Sequence, residues 1–185
     1  NPDVDIDIVW VYTWYDPGKE KDAADALFNT GCDVIAQHTD SPAPLQAAEE
    51  KGLLGFGQAS DQYRFAPKAQ LTATIDNWGP YYVAKVGAVL DGTWTTTCDG
   101  PDGCYFGHMD DGSVEMAPFT NMPAEVEAKA QAVKDAIRDG EYFAFTGPIY
   151  DNKGNLQIAE GEIADRAHLD SMMYYVEGID AELPN

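Results

Sequence analysis

The chain has 185 residues, enough for one domain with a real core or for two small lobes. Hydrophobic residues make up 44% of it, a globular rather than a disordered composition. Its 32 acidic and 11 basic residues leave a formal charge of −21, which argues against nucleic acid as a partner, since phosphate-backbone affinity rests on Lys and Arg.

Residues 5–13 read as the first strand: alternation gives way to a continuous apolar run, as in a sheet covered on both faces. Asp16 caps a helix with Pro17 at its first position, Ala23, Ala24, Leu27 and Phe28 mark one face, and Gly31 stops it. Val34-Ile35-Ala36 is the second strand. Asp40 or Ser41 caps the next helix, which ends at Lys51-Gly52, and residues 53–57 are the third strand. This β-α-β-α-β run with short connections predicts an α/β fold, a parallel sheet flanked by helices. Residues 61–69 cross over to a strand at 71–75, and Pro80 opens a helix with Tyr82, Val83, Val86, Val89 and Leu90 on its apolar side. Residues 93–119 read as short antiparallel strands and loops, and residues 123–139 as an amphipathic helix. A strand at 143–149, a turn at Asp151-Asn152-Lys153-Gly154 and a return strand at 156–158 make a hairpin, with one more short helix in the tail from 163 to 176. No run approaches the roughly 20 apolar residues of a membrane span.

In a parallel α/β sheet, ligands sit at the carboxyl ends of the strands. The residues expected there are Trp14 and Tyr15 after the first strand, His38 and Asp40 after the second, and Gln58, Ser60 and Asp61 after the third. Asp76, Asn77 and Trp78 follow the fourth. An indole at a cleft edge suits stacking on a flat ring, although the same residue could plug the sheet end. The three aspartates could accept hydrogen bonds from hydroxyls or ring N–H groups, or serve as caps and turn formers. His38 beside Asp40 reads as a hydrogen-bonding residue. The chain has no nucleophile elbow, zinc-protease helix, phosphate loop or dinucleotide fingerprint, and no cofactor is expected. Asp110-Asp111-Gly112 reads as a turn. Cys98 and Cys104 bracket Asp-Gly-Pro-Asp-Gly, and a disulfide there would imply an oxidising compartment; two reduced thiols are the alternative. Cys32 reads as a buried small apolar residue.

Four ordered segments carry a family resemblance: Thr13-Trp14-Tyr15-Asp16-Pro17, Ala36-Gln37-His38-Thr39-Asp40-Ser41, Phe56-Gly57-Gln58-Ala59-Ser60-Asp61, and the run from Thr72 to Tyr82 around Ile75-Asp76-Asn77-Trp78-Gly79-Pro80. With Phe145-Thr146-Gly147-Pro148-Ile149, they resemble the basic-membrane-protein, or purine-nucleoside-receptor-A-like, family of ABC-importer substrate-binding proteins. The resemblance implies a type I periplasmic-binding-protein fold, two lobes closing on a ligand at a hinge, of which only the latter part matches here. It implies an α/β lobe over 1–66, a crossover into part of the other lobe over 67–122, and a helix and hairpin returning to the first lobe over 123–185, with a tail. It also implies an aromatic at Trp14 stacking on a purine base, polar groups near Asp40, 58–61 and Asp76 holding the sugar or ring edge, and docking on a membrane permease. The location implied is extracytoplasmic, periplasmic or lipid-anchored. The first lobe's opening strands are absent, so the missing N-terminal half of the same protein is a further partner. Nucleoside-binding relatives often carry Lys where Asp76 stands, and the Cys98–Cys104 loop is not a family feature. The rival readings are a nucleoside or sugar hydrolase with Asp40 and Asp76 as acid and base, and a ligand-sensing domain of the same fold.

Overall fold

The computed structural model describes residues 4–95, 105–179 and 181–184. The core starts where Asp16 caps α1 (Pro17–Thr30), its carboxylate accepting the Lys19 N–H at 3.1 Å, with Pro17 at a position that needs no donor. Glu20, Ala24 and Phe28, four apart, form the buried stripe of α1, and Gly31 ends it at φ 113, a left-handed angle natural only to glycine. β1 (Val34–Ala36) and α2 (Ala43–Lys51) follow. α2 buries Leu45, Ala47 and Ala48 completely between α1 and β2 (Leu54–Gly57). Gly55 permits that approach: a Cβ there would lie 2.6 Å from Ile35 Cγ2 and 2.8 Å from Leu45 Cδ2.

β1, β2 and β3 (Gln70–Asp76) run parallel in that order, and β4 (Val114–Met116) adds an antiparallel edge to β3. The expected parallel sheet flanked by helices is therefore present, with β4 as one of the short antiparallel pieces expected in 93–119. The sheet runs on across residue 66, because β3 pairs with β2. The Asp110-Asp111-Gly112 turn is closed by Asp111 Oδ1, which accepts the N–H groups of Ser113 at 2.8 Å and His108 at 3.2 Å.

The strand expected at 5–13 does not form. An apolar, β-prone run becomes a strand only where a neighbour supplies its ladder. Here β1 pairs with β2 on one side, Val34 opposite Leu54 through Ala36 opposite Phe56, and residues 5–13 form no ladder on its other, open edge. Tyr12 turns the run at φ 51, and Ile6, Trp10 and Tyr12 stay exposed. The segment is held instead by Trp10, whose indole N–H donates to Tyr175 Oη at 2.7 Å. Cys32, expected to be buried, is only partly so, and its thiol faces Asp7 Oδ2 at 3.7 Å. Cys98 and Cys104 lie outside the described residues.

α3 (Gly79–Leu90) starts after Trp78 with no side-chain cap, so Asp76 does not serve as one. Its apolar side is uncovered: Tyr82, Val83, Val86, Val89 and Leu90 are 59% to 81% exposed. α4 (Ala124–Arg138) matches the predicted amphipathic helix and likewise buries no residue. The strand expected over 143–149 is confined to β5 (Ile149–Tyr150), with Thr146 making only an isolated bridge to Ile163, while β6 (Leu156–Ile158) returns after the turn at Asp151 as expected; α5 (Arg166–Asp170) lies in the tail. The chain exposes 12256 Å², against roughly 8,800 Å² expected for a compact 20.2 kDa protein. These uncovered apolar faces contribute to the excess.

Candidate functional site

Because β1, β2 and β3 are parallel, the loops leaving their carboxyl ends lie along one edge of the sheet. Hydrogen bonds stitch those loops together in order. The Asp40 N–H donates to Trp14 O at 3.0 Å, which joins the loop before α1 to the loop after β1. Gln37 Nε2 donates to Gln62 Oε1 at 3.2 Å, and Gln62 Nε2 to Gln58 O at 3.2 Å, linking the loops after β1 and β2. The Asp76 N–H donates to Ala59 O at 3.1 Å and Thr74 Oγ1 to Gln58 Oε1 at 3.3 Å, which brings in the end of β3. Trp14, Asp40, the 58–61 loop and Asp76 therefore share one edge through direct main-chain and amide contacts.

Within that edge the expected residues divide by how the fold uses them. Trp14 is 73% exposed, so it does not plug the sheet; its ring meets the His38 ring edge-on at 6.4 Å, and Tyr15 beside it is exposed. The carboxylates of Asp40 and Asp76 are exposed and engage no hydrogen bond or ion pair among the described residues, and the same holds for the Ser60 hydroxyl. Ala59, between Gln58 and Ser60, sits at φ 60, an uncommon left-handed angle for a residue with a Cβ. Asp61, by contrast, spends Oδ1 on the Tyr63 N–H at 2.9 Å and Gln70 Nε2 at 2.8 Å. Asn77 is also committed, donating to Gly112 O and Glu115 Oε1 and accepting the Gly79 N–H. Trp78 is half-exposed and stacks on Tyr82 at 6.1 Å, an aromatic wall continued by Tyr81.

Polar groups outside the expected site residues lie under this edge. Gln37, Gln62 and Gln70 form a buried or half-buried amide layer beneath the loops, and Glu20 is 1% exposed with Ser41 against it. A signal existed for Glu20, since it shares the i, i+4, i+8 stripe of Ala24 and Phe28. Gln37 Oε1 and Thr39 Oγ1 are buried without a hydrogen bond among the described residues, beside a cavity of about 90 Å³ that Val9, Val11 and Ile35 also line. Small-molecule pockets run to about 300–1,000 Å³, so that cavity cannot enclose a ring ligand, and the edge above it forms one open wall. A shallower recess of about 210 Å³ lies over α3 between Tyr81, Lys85 and Tyr105. Among the described residues no group of three or more His, Cys, Asp or Glu side chains could hold a metal ion, and no helix is long and apolar enough to cross a membrane.

Over its full length the chain is 48% identical to a purine-binding protein of Brucella abortus (strain 2308), and it spans 51% of that protein. It is 28% identical to a protein of Haloferax volcanii that bears the provisional name of an ABC transporter glucose-binding protein, spanning 44% of it. The chain thus covers about half the length of these relatives. Among solved structures, a solute-binding protein of an ABC transporter system from Conexibacter woesei superposes on 77% of the chain and 47% of its own, with TM-score 0.56 at 18% identity. A transcriptional activator of the comK gene from Bacillus halodurans does so over 73% and 47%, with TM-score 0.59 at 20% identity. Both likenesses concern the fold. The model of the Bmp family, described as ABC transporter substrate-binding protein PnrA-like, matches residues 1–141, and the chain belongs to that family.

Proposed function

We propose that the chain supplies one wall of the ligand cleft in the substrate-binding component of an ABC importer, and that the ligand is a purine nucleoside or nucleobase. The observation that carries this reading is the company kept at one sheet edge by an uncovered indole, Trp14, and two unengaged carboxylates, Asp40 and Asp76. An indole face stacks on a flat base, and ionised carboxylates accept from ribose hydroxyls or ring N–H groups. The purine-binding name of the Brucella relative supports the same class.

The activity is capture without chemistry: the ligand bridges two lobes, the hinge closes, and the closed form docks on a membrane permease at the extracytoplasmic face. A division into two lobes is part of this reading, with the first lobe extending past residue 66 to include β3, which pairs with β2. So is an N-terminal half covering apolar surface such as the outer side of α3. A Cys98–Cys104 disulfide fits that compartment; counting free thiols under denaturing, non-reducing conditions should find one of the three, and finding three would rule the bridge out. The test of function is calorimetric titration of the full-length protein with adenosine, guanine, adenosine monophosphate and glucose. Nucleoside or base should bind tightest. Binding of glucose alone would overturn the purine assignment, and release of free base from a nucleoside would replace capture with hydrolysis.

A further inference from the structure

We propose that Glu20 is a positioning residue that fixes the separation of Trp14 and Asp40, and so sets the geometry of the cleft wall without touching the ligand. The inference rests on the reading of this sheet edge as the ligand-binding edge. Glu20 is 1% exposed and has no cationic partner among the described residues. Its two carboxylate oxygens face different loops. Oε1 accepts the Asp16 N–H at 2.8 Å, two residues from Trp14. Oε2 accepts both the N–H, at 3.2 Å, and the hydroxyl of Ser41, the neighbour of Asp40. The Asp40 N–H to Trp14 O bond closes the circuit. The result is a ring of contacts running Trp14, Asp16, Glu20, Ser41, Asp40 and back to Trp14.

The position explains why a carboxylate is kept there. Glu20 lies in the first turn of α1, and Ser41 Oγ accepts the Ala43 N–H at the start of α2. The buried carboxylate therefore sits between the positive ends of two helices, where backbone N–H groups take the place of a cation. A shorter or apolar side chain at this site would leave the Asp16 and Ser41 donors unpaired and free the two loops from each other. The side chains of Trp14 and Asp40 are carried on the outer side of the ring and are both exposed.

The test is fluorine NMR of the protein labelled with 5-fluorotryptophan, with the Trp14 resonance assigned by Trp14→Phe. Glu20→Ala should shift or broaden the Trp14 resonance while that of Trp78, held by α3, stays in place. Glu20→Gln keeps one acceptor for the Asp16 N–H and should return the Trp14 resonance toward the wild-type position. In parallel, Glu20→Ala should weaken ligand affinity about tenfold or more, the scale for losing hydrogen bonds to a charged group. If Glu20→Ala loses resonance dispersion throughout, Ser41→Ala takes its place and should perturb Trp14 in the same sense. A stable Glu20→Ala, or a Ser41→Ala in the other case, whose Trp14 resonance keeps its wild-type position and width overturns the proposal, even if its melting temperature falls. Should the wild-type protein bind no purine compound, the ligand assignment fails, but the resonance of Trp14 still decides the role of Glu20.

Discussion

Replacing Trp14 with Ala removes a side chain that is 73% exposed. An indole of roughly 250 Å² would leave about 180 Å² facing outward, and a flat ligand stacked on one face covers ~90 Å² of it. At about 25 cal/mol per Å² that contact is worth ~2 kcal/mol, a roughly 30- to 50-fold weaker Kd. The figure falls inside the range of about 1–3 kcal/mol found for base–aromatic stacking. The cost to folding is smaller, under about 1.5 kcal/mol, because only the minority of the ring that packs near His38 is lost and Ala keeps the Cβ. Titration calorimetry with the tightest nucleoside measures the first quantity and denaturant unfolding the second. Trp14→Phe keeps a flat face and should recover most of the affinity. A Trp14→Ala protein that binds within twofold of wild type would refute the stacking argument, and Tyr15→Ala and His38→Ala would then test the other exposed rings of the Trp14–Asp40 loop pair.

Asp76→Asn removes a charge that no ion pair neutralises among the described residues, so it should strengthen binding of nucleoside monophosphates roughly three- to fivefold relative to the neutral nucleoside, the scale of an exposed charge interaction; an unchanged ratio would take Asp76 out of the cleft. Gly55→Ala forces a methyl into the contact of β2 with Ile35 and Leu45 and should destabilise the fold by about 1–3 kcal/mol in urea unfolding. Asp151 is 6% exposed and its carboxyl is lowered to about 2, first by the Asn155 side chain and N–H, then by the Lys153 N–H and Gln157. A folded value below the unfolded one of about 3.9 means that its stabilisation is complete above about pH 4 and fades as the pH falls through 2. The stability gap between wild type and Asp151→Asn should therefore narrow from pH 5 to pH 2 in thermal melts, and a gap that stays constant would refute the linkage.

Much of the fold was legible in the sequence because its signals are local. Asp16-Pro17 and Gly31 bound α1, Gly52 ends α2, and the periodicity of 123–139 gives α4, since caps and helical spacing act over a few residues. The order of motifs from Trp14 to Trp78 was enough for the family, as the matched family model bears out. What the tertiary structure decided is pairing. Residues 5–13 have the composition of a strand and form none: Tyr12 breaks the extended run at φ 51, and Trp10 is tied to Tyr175 in the tail, a contact across 165 residues that composition does not announce. Asp40, Asp61, Asp76 and Asn77 look alike in sequence as polar residues at strand ends. Only the folded chain divides them, by placing Gln70 against Asp61 and Gly112 and Glu115 against Asn77 while leaving Asp40 and Asp76 unengaged. Glu20 follows the same rule. Its sequence announces a charge on an apolar stripe, but its partner Ser41 lies 21 residues away, and a hydrogen bond over that separation exists only once α1 and α2 have packed.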